Sequence, residues 1–142
     1  MIRAVFLLAV ALLSISGAAA RTVCGEDVVA AGEIEKHFDR NPISAEGKYL
    51  GKNWNVYGYI SKISSESTLY YFLYLGEDFQ VRLEKTDQNR QALDRVSRGQ
   101  KVFVCGRVEK ISVLGLFNTG TFQLRDAWML AVERRGQVER LY

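Results

Sequence analysis

Residues 52–63, Lys-Asn-Trp-Asn-Val-Tyr-Gly-Tyr-Ile-Ser-Lys-Ile, restrict what this chain can fold into more than any other stretch. Trp54, Val56, Gly58 and Ile60 fall on one side of an extended backbone and Asn55, Tyr57, Tyr59 and Ser61 on the other, which is strand periodicity. A glycine inside so regular an alternation marks a bulge or sharp bend, where a strand turns the corner of a small barrel. The stretch therefore reads as the first, long, curved strand of an antiparallel barrel. Residues 101–113 repeat the design: Val102, Val104, Gly106 and Val108 alternate with Phe103, Cys105, Arg107 and Glu109, again with a glycine midway.

The rest of the chain fits around these two ribbons. Residues 64–67 are a polar turn, 68–75 are dense in Tyr, Phe and Leu and read as a second strand, and 76–78 make the next turn. In 79–84, Phe79, Val81 and Leu83 alternate with Gln80, Arg82 and Glu84 as a third strand. Residues 87–97 then place Leu93 and Val96 among charges, with Thr86 or Asp87 as cap and Gly99 as stop, and predict a short amphipathic helix. A loop over 114–120, a fifth strand over 121–132 and a charged tail over 133–142 complete the C-terminal half. Upstream, Val28, Val29, Ile34 and Phe38 stand at helical spacings, with Glu26 and Asp27 where a helix N-terminus favours negative charge. A helix is predicted over 25–41, ended by Asn41-Pro42, with 43–51 as a connection. The order helix-β-β-β-helix-β-β predicts an all-β fold with accessory helices, the five-stranded oligonucleotide/oligosaccharide-binding (OB) barrel. The barrel is assigned to 52–132 and the N-terminal helix and connection to 21–51. Val56, Ile60, Val81, Leu83, Val102 and Val104 are its expected filling.

Residues 1–20 have one basic residue, Arg3, an apolar run and then Ala18-Ala19-Ala20, the pattern of a cleavable signal peptide. The run is shorter than the ~20 residues that span a bilayer. Cleavage would leave 122 residues, a single-domain length, with a net charge of +2, too mild to announce a nucleic-acid binder. A periplasmic or secreted protein without a membrane span is expected. Cys24 follows Arg-Thr-Val rather than the small-residue pattern that precedes a lipid-modified cysteine, so no lipid anchor is expected. Cys24 and Cys105 are an even count in an exported chain, which predicts one internal disulfide; two free thiols or an intermolecular bridge are the alternatives.

Several stretches together resemble a known group, the exported "tRNA anticodon-binding-like" OB-fold family. They are residues 34–41 and 45–52, the Val-Tyr-Gly-Tyr-Ile of 56–60, residues 93–106 with their Gly-Gln-Lys-Val-Phe-Val-Cys-Gly ending, and 124–128. The resemblance covers nearly all of the mature chain and implies the fold and export, with hardly any chemistry. Many relatives carry cysteines where this chain has Val81 and Ala127.

No residue set supports catalysis. His37 is the single histidine and sits among charges on the first helix; Glu26-Asp27 and Glu77-Asp78 read as a helix start and a turn. The glycines of 115–120 lack a phosphate loop's lysine. One histidine and two distant cysteines supply no metal ligand set, and no cofactor is expected. The constellation that remains is aromatic and basic. If the residues named above fill the barrel, Tyr57, Tyr59, Arg82 and Arg107 point outward, joined by Tyr71 or by Tyr70, Phe72 and Tyr74. Rings beside arginines suit bases, sugars or peptide side chains; the alternative is that they pack beneath the helices. The expectation is a binding module, not an enzyme, with a protein or oligosaccharide partner in the cell envelope, or nucleic acid. A secreted oligomeric structural protein, resembling toxin subunits, is the alternative.

Overall fold

The alternating stretch forms one strand, Asn53–Ser64 (β2), that changes partners midway. In a computed structural model describing residues 24–111 and 121–141, its residues 53–59 pair antiparallel with Lys101–Ile111 (β5) and 60–64 with Tyr70–Leu75 (β3). The expected signal peptide and the 114–120 loop lie outside the described residues. Phe79–Glu84 (β4) pairs antiparallel with β3, and Thr121–Arg134 (β6) runs parallel to β4 and antiparallel to β5. The order β2-β3-β4-β6-β5 returns to β2, which closes a five-stranded mixed barrel of OB type. Val56, Ile60, Val81, Leu83, Val102 and Val104 are all buried in its interior, with Leu73, Phe79, Leu124 and Met129.

The two glycines do different work. Gly58 pairs in unbroken register with Val102, and the break expected there falls instead between Ile60 and Lys62. Its missing side chain admits Leu75, whose Cβ would lie 3.0 Å from a Cβ at this position. Gly106 does sit in a register break, between Cys105 and Arg107. A Cβ there would meet Leu124 Cγ at 2.6 Å and the Arg125 carbonyl oxygen at 3.0 Å.

The N-terminal segment departs from the single helix expected over 25–41. Val28–Ala30 is a short strand (β1) parallel to β2, and the helix starts at Ala31 (Ala31–Arg40, α1). Cys24 is bonded to Cys105, which stands opposite Asn55 on β2, and Asn55 in turn aligns with Val28. The bond thus lays this segment along β2, where β-branched Val28 and Val29 suit extended backbone. A helix, Pro42–Tyr49 (α2), replaces the connection read over 43–51. Asn41-Pro42 both ends α1 and begins α2: the Asn41 side chain accepts from Ser44 N–H at 3.1 Å, and Pro42 takes the first turn, where a missing N–H costs nothing. α1 buries Ile34 and Phe38, the latter packed at a tilt with its ring centroid 4.6 Å from that of Phe122 of the barrel.

Asp87–Asp94 (α3) lies between β4 and β5, capped by Thr86, which accepts from Asn89 N–H at 3.1 Å. It ends three residues earlier than 97. The charged tail read over 133–142 is mostly sheet. β6 continues to Arg134, and Gln137–Arg140 (β7) folds back on it through Arg135-Gly136, both with positive φ, as a two-residue hairpin requires. Glu139 bonds to Arg95 and Arg134, and Leu141 is buried. Among the described residues no helix is long and apolar enough to cross a membrane.

One carboxyl is poorly placed. Glu35 on α1 has a buried Oε1 with no hydrogen-bond partner among the described residues, and burial, then the charges of Asp78, Asp39 and Glu77, raise its pKa. A carboxyl whose folded pKa exceeds its unfolded value costs stability once ionised, and the cost fades as pH falls toward the ordinary carboxylate range. Glu35→Gln is therefore expected to raise the melting temperature at about pH 8 and to lose that advantage at about pH 4, below the ordinary carboxylate value. Thermal melts at both pH values check this, and an equal gain at both would remove the titration from the explanation.

Candidate binding surface

Strand parity decides which aromatic side chains the barrel turns outward. On β3, Tyr71, Leu73 and Leu75 share the inner face, so Tyr70, Phe72 and Tyr74 stand outside. Their partners on β4 are Glu84, Arg82 and Gln80 respectively. The Arg82 guanidinium lies 4.4 Å from the Tyr70 ring centroid, Lys62 Nζ lies 5.5 Å from that of Tyr74, and Tyr70 and Phe72 are 6.3 Å apart. The result is a row of three half-buried rings, one residue in two along a strand, with a cation at each end.

A polar ladder continues this face across the barrel. Gln80 Nε2 donates to the Tyr74 hydroxyl at 2.9 Å, Gln123 Nε2 donates to Gln80 Oε1 at 2.6 Å, and Arg125 Nε donates to Gln123 Oε1 at 2.8 Å. Gln80 and Gln123 are aligned in the parallel β4–β6 pair, and Gln123 is buried. Each amide is oriented by its neighbours, so the wall beside the rings is fixed.

The five residues singled out from the sequence do not form one site. Arg82 joins the β3 ring row. Tyr57 and Tyr59 lie on the part of β2 that pairs with β5, beside Phe103, whose ring is 5.9 Å from Tyr57. Lys101 Nζ sits 4.7 Å from the Tyr57 ring and 5.5 Å from Phe103, and pairs with Glu133 at 3.1 Å. Tyr59 is 62% exposed. Arg107 is held between two carboxylates, with Nε 2.8 Å from Glu109 and Nη1 2.8 Å from Asp126. The Glu109 hydrogen bond foremost raises its pKa. Its charge is thereby matched within the barrel wall. Asp126 reaches it from a residue with φ of +49°, at the bulge opposite Gly106.

Tyr71 turns inward and packs against the core, with Lys85 Nζ 5.2 Å from its ring. Its parity with Leu73 and Leu75 is the sequence signal that favours Tyr70, Phe72 and Tyr74 over it. Lys62, Gln80 and Gln123 carry no signal of their own, because each joins the face through a partner on another strand. His37 Nε2 lies 3.2 Å from Ser44 Oγ on the exposed surface of α1 and α2, and no carboxylate among the described residues bonds its ring. No group of His, Cys, Asp and Glu among the described residues could hold a metal ion.

Comparison with known proteins agrees with this architecture. The tRNA_anti-like family model matches residues 7–118. Among solved structures, the chain is similar to a lipoprotein of Klebsiella pneumoniae to which nucleic-acid binding has been ascribed. The two are 21% identical with a TM-score of 0.51, over 73% of this chain and 91% of that one. Two OBodies, each bound to hen egg-white lysozyme, align over 58% of this chain and 85% and 83% of their own, at 19% and 18% identity and a TM-score of 0.44. No curated protein matches the chain. At such identities the likeness is one of fold.

Proposed function

The chain belongs to the tRNA_anti-like family, and from that premise we propose that it is an exported, non-catalytic binding module. It takes a ligand of successive ring units, an oligosaccharide or a single-stranded oligonucleotide, across the outer face of β2, β3 and β4. The observation that carries this reading is the row Tyr70, Phe72 and Tyr74 flanked by Arg82 and Lys62. Rings at alternate residues of one strand offer stacking surfaces at a regular step, and the cations serve negative charge or ring faces. This is also the face on which OB barrels hold ligands. The Cys24–Cys105 bond supports export, because disulfides persist in oxidising compartments. The lipoprotein nature of the Klebsiella neighbour points the same way.

Glycan arrays and anisotropy titrations with labelled single strands test the proposal. Phe72→Ala is expected to weaken binding about tenfold, the loss of one stacked unit. For an oligonucleotide, Arg82→Ala should also reduce the slope of log affinity against log salt by about one, which a neutral glycan would not show. Saturable binding to neither ligand, or full affinity in a folded Phe72→Ala variant, would overturn the reading.

A further inference from the structure

On the opposite side of β2 from the ring row, the turn before β5 and the β6–β7 hairpin enclose a groove of about 400 Å³. Tyr59, Lys101, Glu133, Arg134 and Arg135 line it. Three cations thus face one carboxylate, and Glu133 is already paired with Lys101. Arg134 is engaged by Glu139 and the Arg95 carbonyl. Arg135 is exposed and forms no ion pair with a described residue, so the groove carries surplus positive charge at the hairpin turn. At its other side stands an exposed aromatic ring, Tyr59, two residues along β2 from Tyr57, which lies with Phe103 beneath Lys101.

We infer that this groove is a second binding site, independent of the β3 ring row, for a phosphate ester carried on a planar heterocycle, that is, a nucleoside phosphate. A flat ring stacks on Tyr59, which has a free face. The phosphate takes the charge of Arg135, whose guanidinium offers paired donors to oxyanions. The Glu133 carboxylate, held by Lys101, is an acceptor for an amino group on the ring. A bare phosphate lacks the stacking surface and a neutral nucleoside lacks the charge, so the site selects the combination. The same chemistry comes either as a free nucleotide or as the phosphorylated end of a short single strand.

Calorimetric titration of the full mature protein with AMP, adenosine and inorganic phosphate tests the inference. AMP should bind saturably and both fragments at least about tenfold more weakly. Tyr59→Ala and Arg135→Asn should each weaken AMP about tenfold. Asparagine is chosen because position 135 has φ of +51°, which it tolerates. Both side chains are exposed, and thermal melts confirm that each variant is folded. Ile43→Ala, exposed on α2 and outside both the groove and the ring row, should bind AMP as the parent does. A 5′-phosphorylated oligonucleotide that displaces AMP when its unphosphorylated counterpart does not assigns the groove to strand ends, and displacement by neither assigns it to free nucleotides. No saturation by AMP, equal affinity for phosphate alone, or indifference to Arg135→Asn overturns the inference.

Discussion

Breaking the Cys24–Cys105 bond is expected to lower the free energy of unfolding by about 4 kcal/mol, the loop-closure value for a ring of this size. The bonded residues are 81 apart in sequence, and Cys105 is fully buried in β5. The bond constrains most of the described chain in the unfolded state, and its loss also frees β1, whose three-residue pairing with β2 is too short to persist alone. Urea unfolding with and without reductant, and of the Cys24→Ser and Cys105→Ser double variant, measures the effect as a fall in the midpoint. A midpoint that does not move would mean that contacts of the segment itself, not the covalent closure, hold it to the barrel.

Gly106→Ala is the second large effect, at about 2–3 kcal/mol of destabilisation, toward the upper end of overpacking costs. The added Cβ would stand 2.6 Å from Leu124 Cγ, 3.0 Å from Ala127 Cβ and 3.0 Å from the Arg125 carbonyl oxygen. Leu124 is fully buried and Arg125 meets it with backbone, so neither neighbour yields by rotating a free side chain. Gly58→Ala supplies the control. Its nearest neighbour is Leu75 Cβ at 3.0 Å, and the entropy saved in the unfolded chain offsets part of the crowding, so its change should stay within about 1 kcal/mol. Chemical denaturation of the two variants side by side tests the contrast, and equal losses would contradict the distinction between bulge and close approach.

Much of the barrel was legible because alternation is a local signal. Val56, Ile60, Val102 and Val104 announce an inner face without knowledge of any partner strand, and Thr86-Asp87 announces the start of α3 locally, the structure choosing Thr86 as the cap. The failures share a dependence on distant residues. β1 is three residues long and becomes a strand because Cys105 and Asn55 hold it in place. Asn41-Pro42 is compatible with both an end and a start, and packing of Ala45 and Tyr49 selects the start. β7 has a single apolar residue, Val138, and is fixed by the Arg135-Gly136 turn and by Arg95 and Arg134 meeting Glu139. The site was legible only as an inventory. Arg107 reads as an outward cation until the β6 bulge brings Asp126 to it, and the Tyr74–Gln80–Gln123 ladder exists only once β3, β4 and β6 are side by side.

The exchange of partners along β2 bears on the order in which this molecule assembles. The run from β2 through β3 to β4 is a meander of neighbours in sequence, which can zip up early because each step closes a short loop. Joining Asn53 to Arg107, or Val81 to Leu124, requires the ends of long segments to find one another, and such non-local pairing is slow. Cys24 meets Cys105 where β1 and β5 flank β2 from either side, so the bond staples together the two neighbours of a single strand.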